Sequence, residues 1–449
     1  MKVLLISANT LTMPYPVYPV GLDYVAAALA PVHDVRICDM NVMGGVAGLK
    51  RVVTDYAPDA VGIAIRNVDN TDATDPAAYL GAYSKIVAAV REVSSAIVIV
   101  GGAGFTLFPE AFLETLGADF GIIGEGERLP LLLDAVAEGR AGDDIPGVIR
   151  PGGRATFPPP WEAAFSRHSD PPGDHRDFYL RRGGMLNLQT KRGCRHRCIY
   201  CTYPHIEGRR LRLEDPEAVA QTALALERAG ARYLFITDSI FNMDTAHNRA
   251  VADAFRRVGL SIPWGAFFSP GPIAPGYFDH LAAAGLTHVE FGTESLSDPV
   301  LAAYGKPFRA RDVMAAHDAA LAAGLHVAHY FLLGGPGERR HTLDETLSSI
   351  DNLRKSVLFL FSGMRIYPHT ALHGLALEEG QIAADQNLLA PVFYRSPHLD
   401  NGAMLERVKQ RAAGRPNWVI GAGGTETAAI LSKMYEKGYT GPLWEYLIR

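Results

Sequence analysis

Cysteine is scarce in this chain: four among 449 residues. Three of them, Cys194, Cys198 and Cys201, fall within eight residues, and the fourth is Cys38. A disulfide framework spreads its cysteines along a small secreted chain, so this pattern excludes one and reads as metal ligation. Long apolar runs are also missing. Val3-Leu4-Leu5-Ile6 is too short for a signal-peptide core, and no stretch approaches the roughly 18 apolar residues of a membrane span. Charge of one sign is not in excess, with 43 Lys and Arg against 48 Asp and Glu. A nucleic-acid or membrane partner is therefore not expected, and the chain reads as a soluble cytoplasmic protein.

The hydrophobic fraction of 48% suits sizeable cores, and the length suits two or three domains. From residue 1 to about 140, short apolar runs alternate with helical patterns: Lys2-Ile6, Val35-Cys38, Ala60-Ile65, Ile97-Val100 and Phe120-Ile123. That alternation predicts a doubly wound α/β domain with a parallel sheet, whose ligand sits at the carboxyl ends of the strands. Residues 141–184 are rich in Pro, Gly and charge and read as a linker. From 185 to 366 six further strand candidates predict a full or partial β/α barrel, beginning at Met185-Gln189 and ending at Phe361-Ile366. Residues 367–449 read as a small C-terminal cap.

The cysteines stand as Cys194-Arg195-His196-Arg197-Cys198-Ile199-Tyr200-Cys201, just after the first barrel strand. Three thiolates on one short loop can hold three irons of a [4Fe–4S] cluster. The fourth iron is then open to an amino-acid-like chelator, and the amino and carboxylate groups of S-adenosylmethionine (SAM) fit that role. A zinc site completed by His196 or His205 is the alternative, against the usual paired spacing of structural zinc.

This motif, with Tyr200 before its last cysteine, resembles the radical SAM superfamily over about residues 185–366. The resemblance implies that Cys194, Cys198 and Cys201 bind the cluster and that Tyr200 lies near the adenine of SAM. After the second barrel strand the family has a Gly-Gly-Glu-like element for the SAM amino group; here the place reads Thr237-Asp238-Ser239, which leaves Asp238 as the anionic partner. Glu294 is placed to accept from ribose hydroxyls, and Gly334-Gly335 to touch adenine or methionine. The bland alternatives are helix-terminal charges for Asp238 and Glu294 and a plain strand-to-helix turn for the glycines.

The first domain carries Asp39-Met40-Asn41-Val42-Met43-Gly44, Arg66-Asn67, Gly101-Gly102 and Gly124-Glu125-Gly126-Glu127 at its predicted strand ends. These features resemble the cobalamin-binding domain fused ahead of many radical SAM domains. The resemblance implies cobalamin contacts from Asn41, Gly44, Arg66, Asn67, Gly101, Gly102, Gly124, Glu125 and Gly126. Asn41 stands where a ligating domain has histidine, and an amide is a poor cobalt ligand, so no histidine ligation is expected. His33 reads as a surface residue and Cys38 as a small buried one. Together the two resemblances imply a cobalamin-dependent radical SAM methyltransferase acting on an unactivated carbon of a small natural-product or lipid-type intermediate. That substrate could ride on a carrier protein, with flavodoxin or ferredoxin as electron donor. Cyclisation or rearrangement, and a non-catalytic iron–sulfur protein, are the alternatives.

Overall fold

A computed structural model describes residues 1–12, 15–162, 167, 174–421, 423 and 425–448. Residues 13–14 of the Thr10–Pro19 loop and residues 163–166 and 168–173 of the 141–184 linker lie outside the described residues. Six strands form the first sheet: β1 (Lys2–Ser7), β2 (Asp34–Asp39), β3 (Ala60–Ala64), β4 (Ile97–Gly101), β5 (Phe120–Ile122) and β6 (Val148–Ile149). Their order is β2-β1-β3-β4-β5-β6, parallel except for the last pair. Val3, Leu4, Leu5 and Ile6 are all buried, because helices cover both faces and a central strand then has no polar side. The strand β6 comes from the segment read as linker, so the first unit runs past residue 140.

The second sheet is a seven-stranded parallel partial barrel. It uses β7 (Met185–Leu188), β10 (Tyr233–Ile236), β11 (Trp264–Phe268), β12 (Leu286–Glu294), β13 (His326–Leu333), β14 (Ser356–Ser362) and β17 (Trp418–Ile420), in the order β17-β14-β13-β12-β11-β10-β7. Two short ribbons flank it: β8 (Lys191–Arg192) with β9 (Arg212–Leu213), and β15 (Met364–Arg365) with β16 (Phe393–Tyr394). Two of the helices between the strands start at an aspartate acceptor. Asp215 accepts from the Ala218 N–H and Asp244 from the His247 N–H, satisfying amides that the first helical turn leaves free.

Two expectations are corrected here. The sixth barrel strand is Ser356–Ser362 rather than Phe361–Ile366, because Gly363 at φ +75° breaks the chain after Ser362. The segment 367–449 is not only a cap, since β17 joins the barrel sheet beside β14. Beyond it the tail spans the open side of the barrel: the Gly441 N–H donates to the Gly183 carbonyl at 3.0 Å, and Trp444 Nε1 to Glu290 at 3.0 Å. Among the described residues no helix is long and apolar enough to cross a membrane.

Candidate functional site

The cysteines occupy the turn of the β8–β9 ribbon. Gly193 opens that turn at φ +94°, with its α-carbon so close to Arg210 that a β-carbon would lie 2.2 Å from the carbonyl oxygen. No other residue fits there. The loop is pinned from outside, with the Ile199 N–H on the Tyr304 carbonyl at 3.1 Å and the Ser239 hydroxyl on the Gly193 carbonyl at 3.1 Å. Cys194, Cys198 and Cys201 all face one cavity of about 350 Å³, together with His196, Tyr200, Ser239, Phe267, Glu294 and Lys306. Burial pushes the free Cys201 thiol up to about 12 and raises that of Cys194. Thiolates form here only when a positive metal centre takes them, which is the donor set a cluster requires. Of the two histidines that could complete a zinc site, His196 lines this cavity and His205 does not. His205 faces away, stacked on His369.

Glu294 lines this cavity. It accepts from the Tyr200 hydroxyl at 2.6 Å and from Lys306 Nζ at 2.5 Å. Burial, the largest influence, lowers the Lys306 ammonium, but the Glu294 carboxylate with Cys198 and Cys201 together hold it above the usual lysine value. Burial and Glu294 raise the Tyr200 phenol, which stays a neutral donor. Lys306 escaped sequence reasoning: a lone lysine after a helix carries no motif, and only folding brings it to Glu294.

Two expectations fail on geometry. Asp238 does not reach the cavity. Its carboxylate is fully buried and accepts from the Thr190 N–H at 2.7 Å, the Thr190 hydroxyl at 2.6 Å and Lys191 Nζ at 2.6 Å, anchoring the start of the cysteine loop. Nor do Gly334 and Gly335 line it. The Gly334 N–H donates to the Glu338 carboxylate and the Gly335 N–H to the Tyr304 hydroxyl at 3.1 Å, so the loop closes on itself.

A second cavity, of about 610 Å³, opens at the carboxyl ends of the first sheet. Arg66, Asn67, Gly101, Gly102, Gly124, Glu125 and Gly126 all line it, and it runs down between sheet and helix past Leu5, Gly62, Ile99 and Leu129. A broad mouth of glycine backbone and a narrow apolar shaft fit a flat macrocycle with a nucleotide tail. Gly102 permits the mouth: at φ +101° a β-carbon would stand 2.7 Å from the Ile65 carbonyl oxygen. Asn41 and Gly44 are corrected, for neither lines this cavity. The Asn41 amide donates to the Asn9 carbonyl at 2.9 Å and the Tyr179 hydroxyl at 3.3 Å, and Tyr179 also caps the buried Asp39 at 2.7 Å. That loop is tied to the helix Asp174–Arg181 instead of the ligand space. Among the described residues Arg66 has no ion-pair partner, and its guanidinium is exposed toward the cavity.

The cavities meet at Tyr203 and Phe267, which line both and are 41% and 36% exposed although aromatic. Glu125, with Glu127 at 2.6 Å from the same Arg192, ties the two together. From the mouth of the larger cavity it takes Arg192 at 3.1 Å and Arg212 at 2.5 Å, one from each strand of the cysteine ribbon. Beside them, His205 stacks on His369 with ring centroids 4.4 Å apart, and Phe157 caps both. Burial first, and then His369, lowers His205 to about 4. The unfolded chain therefore binds more protons between about pH 6.5 and 4, so stability is complete above that window and is lost as pH falls through it. The thermal midpoint should drop across this range in the native protein and drop less in His205→Phe; equal slopes would remove the stack from the acid response.

A protein-family model of the radical SAM superfamily matches residues 188–350, and one of the B12 binding domain matches residues 6–133. The tryptophan 2-C-methyltransferase of Streptomyces laurentii is 25% identical, covering 80% of this chain and 72% of its own. The cytidylyl-2-hydroxyethylphosphonate methyltransferase of Streptomyces wedmorensis is 26% identical, covering 76% and 73%. In fold, the chain superposes on the radical SAM methyltransferase TsrM of Kitasatospora setae with a TM-score of 0.89 at 23% identity, over 99% of this chain and 97% of that one. A cysteine-lined cavity in the radical SAM match and a cavity whose glycine mouth belongs to the B12 binding match assign the cofactors as a [4Fe–4S] cluster, SAM and cobalamin. The chain is a radical SAM enzyme and belongs to the cobalamin-dependent radical SAM family, the class of the radical SAM methyltransferases.

Proposed function

We propose that the enzyme moves a methyl group from SAM, by way of cobalamin, to a carbon of a small, flat natural-product intermediate. The observation that carries this reading is the shared wall of the two cavities at Tyr203 and Phe267. A substrate lying against these exposed aromatic faces touches both cofactor spaces at once, and stacking favours a planar group. The related enzyme of Streptomyces laurentii acts on tryptophan by its name, which agrees with an aromatic acceptor.

When bound, the cluster supplies electrons to SAM and the cobalt carries the methyl group. The chain supplies position and dryness. Cys194, Cys198 and Cys201 hold the cluster; Tyr200, Glu294 and Lys306 present one donor, one acceptor and one cation to the polar atoms of SAM. Arg66, Asn67 and the Gly101-Gly102 and Gly124-Gly126 loops cradle the corrin. Tyr203 and Phe267 keep water from the reacting carbon. Outside the cavity, Arg195, Arg197 and Arg209 are exposed on or beside the cysteine loop. A positive rim on a chain of net charge −5 supports docking of an acidic electron carrier of the flavodoxin or ferredoxin type.

The reading is tested with anaerobic holo-protein, SAM carrying a deuterated methyl, and flat aromatic acceptors including tryptophan. The expected product is heavier by the whole labelled methyl. A product rearranged without gain of the label would instead favour radical cyclisation or rearrangement.

A further inference from the structure

Glu294 sits in a conformation that an ordinary residue avoids. Its φ is +61°, and the Ser295 N–H donates to the Thr293 carbonyl at 2.8 Å, across Glu294. This is a γ-turn with positive φ at its centre, the strained form. Such a turn persists only where its neighbours over-determine it. The ladder with β13 does not help, because its register shifts here: Gly292 pairs with Tyr330 and Glu294 with Phe331, so Thr293 is extruded from the pairing.

Side chains take over the task. The Thr293 hydroxyl lies 2.7 Å from His329 Nδ1, and His329 Nε2 lies 3.0 Å from His317 Nδ1. Thr293 and His329 are wholly buried and His317 nearly so. On the other flank the Ser295 hydroxyl meets the Thr346 hydroxyl at 2.9 Å. His329 stands on β13, His317 on the helix Ala310–Ala322 and Thr346 on the helix Arg340–Ser349, so each flank of the turn is fixed to a different element. The His329 ring is further stacked on Phe291, 5.3 Å away. Burial keeps His329 neutral, so it works by direction of its hydrogen bonds and not by charge. Nothing in this chain of imidazoles touches either cavity.

We propose that His329 is a positioning residue for SAM: held by His317, it fixes Thr293 and thereby the strained turn that aims the Glu294 carboxylate at Tyr200 and Lys306. This rests on the reading that Glu294 contacts SAM, and the two are separable. SAM affinity is measured in the holo-protein from the change SAM makes in the electron paramagnetic resonance of the reduced cluster. Glu294→Gln, which removes a charge-assisted partner, should weaken SAM on the order of tenfold or more. Thr293→Val, which keeps the side-chain shape, and His329→Gln should each weaken it by about two- to tenfold, the worth of one directed hydrogen bond. The double variant should be no worse than the weaker single, because both break the same link. Iron and cobalamin content should stay at native levels in all of them. Loss of thermal stability with native SAM affinity in Thr293→Val and His329→Gln, while Glu294→Gln weakens SAM, would reduce the imidazole chain to core packing and overturn the inference. A silent Glu294→Gln would overturn the reading beneath it.

Discussion

Replacing any one of Cys194, Cys198 or Cys201 by alanine is expected to strip the cluster and abolish SAM cleavage, whereas Cys38→Ala leaves iron content unchanged. The asymmetry is geometric. The three loop thiols face one cavity beside Tyr200 and Glu294. Three protein thiolates are the minimum that leaves one iron of a cubane free for SAM, so two cannot hold the same species. Cys38 lies at the end of β2, 2% exposed, inside the core between Ile6 and Leu49, and burial pushes its thiol up to about 12. It behaves as a small apolar side chain, and its loss costs packing only. Iron and sulfide assays with the visible absorption of anaerobically reconstituted protein decide the matter. Full cluster loading in any of the three loop variants would remove the assignment.

Cobalamin in the larger cavity is expected to carry no histidine on its lower face. In the cobalt(II) form, electron paramagnetic resonance should lack the triplet splitting that a nitrogen ligand adds to each cobalt line. Among the described residues no histidine lines the cavity. Asn41 is turned toward Asn9 and Tyr179. His33 sits at the opposite end of the sheet, 3.4 Å from the amino group of Met1, where the strands begin and not where they end. Triplet splitting that disappears on changing a histidine of this chain would contradict the cavity described above.

The cysteine spacing and the strand-end glycines were legible because both depend on short stretches of chain. Three ligands on one loop need no partner from elsewhere to be recognised, and apolar runs such as Ile97–Val100 leave few alternatives to a buried strand. Asp238, Asn41 and the Gly334-Gly335 pair stand at the right strand ends, yet each is claimed by a partner that spacing cannot reveal: Lys191, Tyr179 and Glu338. Strand-end position therefore locates a loop, while the competition for its polar groups is settled in three dimensions. Lys306 and His329 were hidden for the converse reason, since each acquires its role only through residues distant in sequence. The last barrel strand, Trp418-Val419-Ile420, is three residues long and follows a charged helix, too brief for alternation to show.

Glu125 gives the two cofactor spaces a common clearance. Its carboxylate lines the glycine mouth and also grips Arg192 and Arg212 on the ribbon that carries the thiols, with these side chains 10% exposed or less. A shielded link of this kind is stiff, because water does not compete for it and neither charge can be left alone without penalty. Any tilt of the first domain is thus passed to the thiol loop instead of widening the gap between them. Glu125, with Glu127 on the same Arg192, therefore acts as a spacer between the cofactor cavities, much as an insulator sets the gap of an electrode pair.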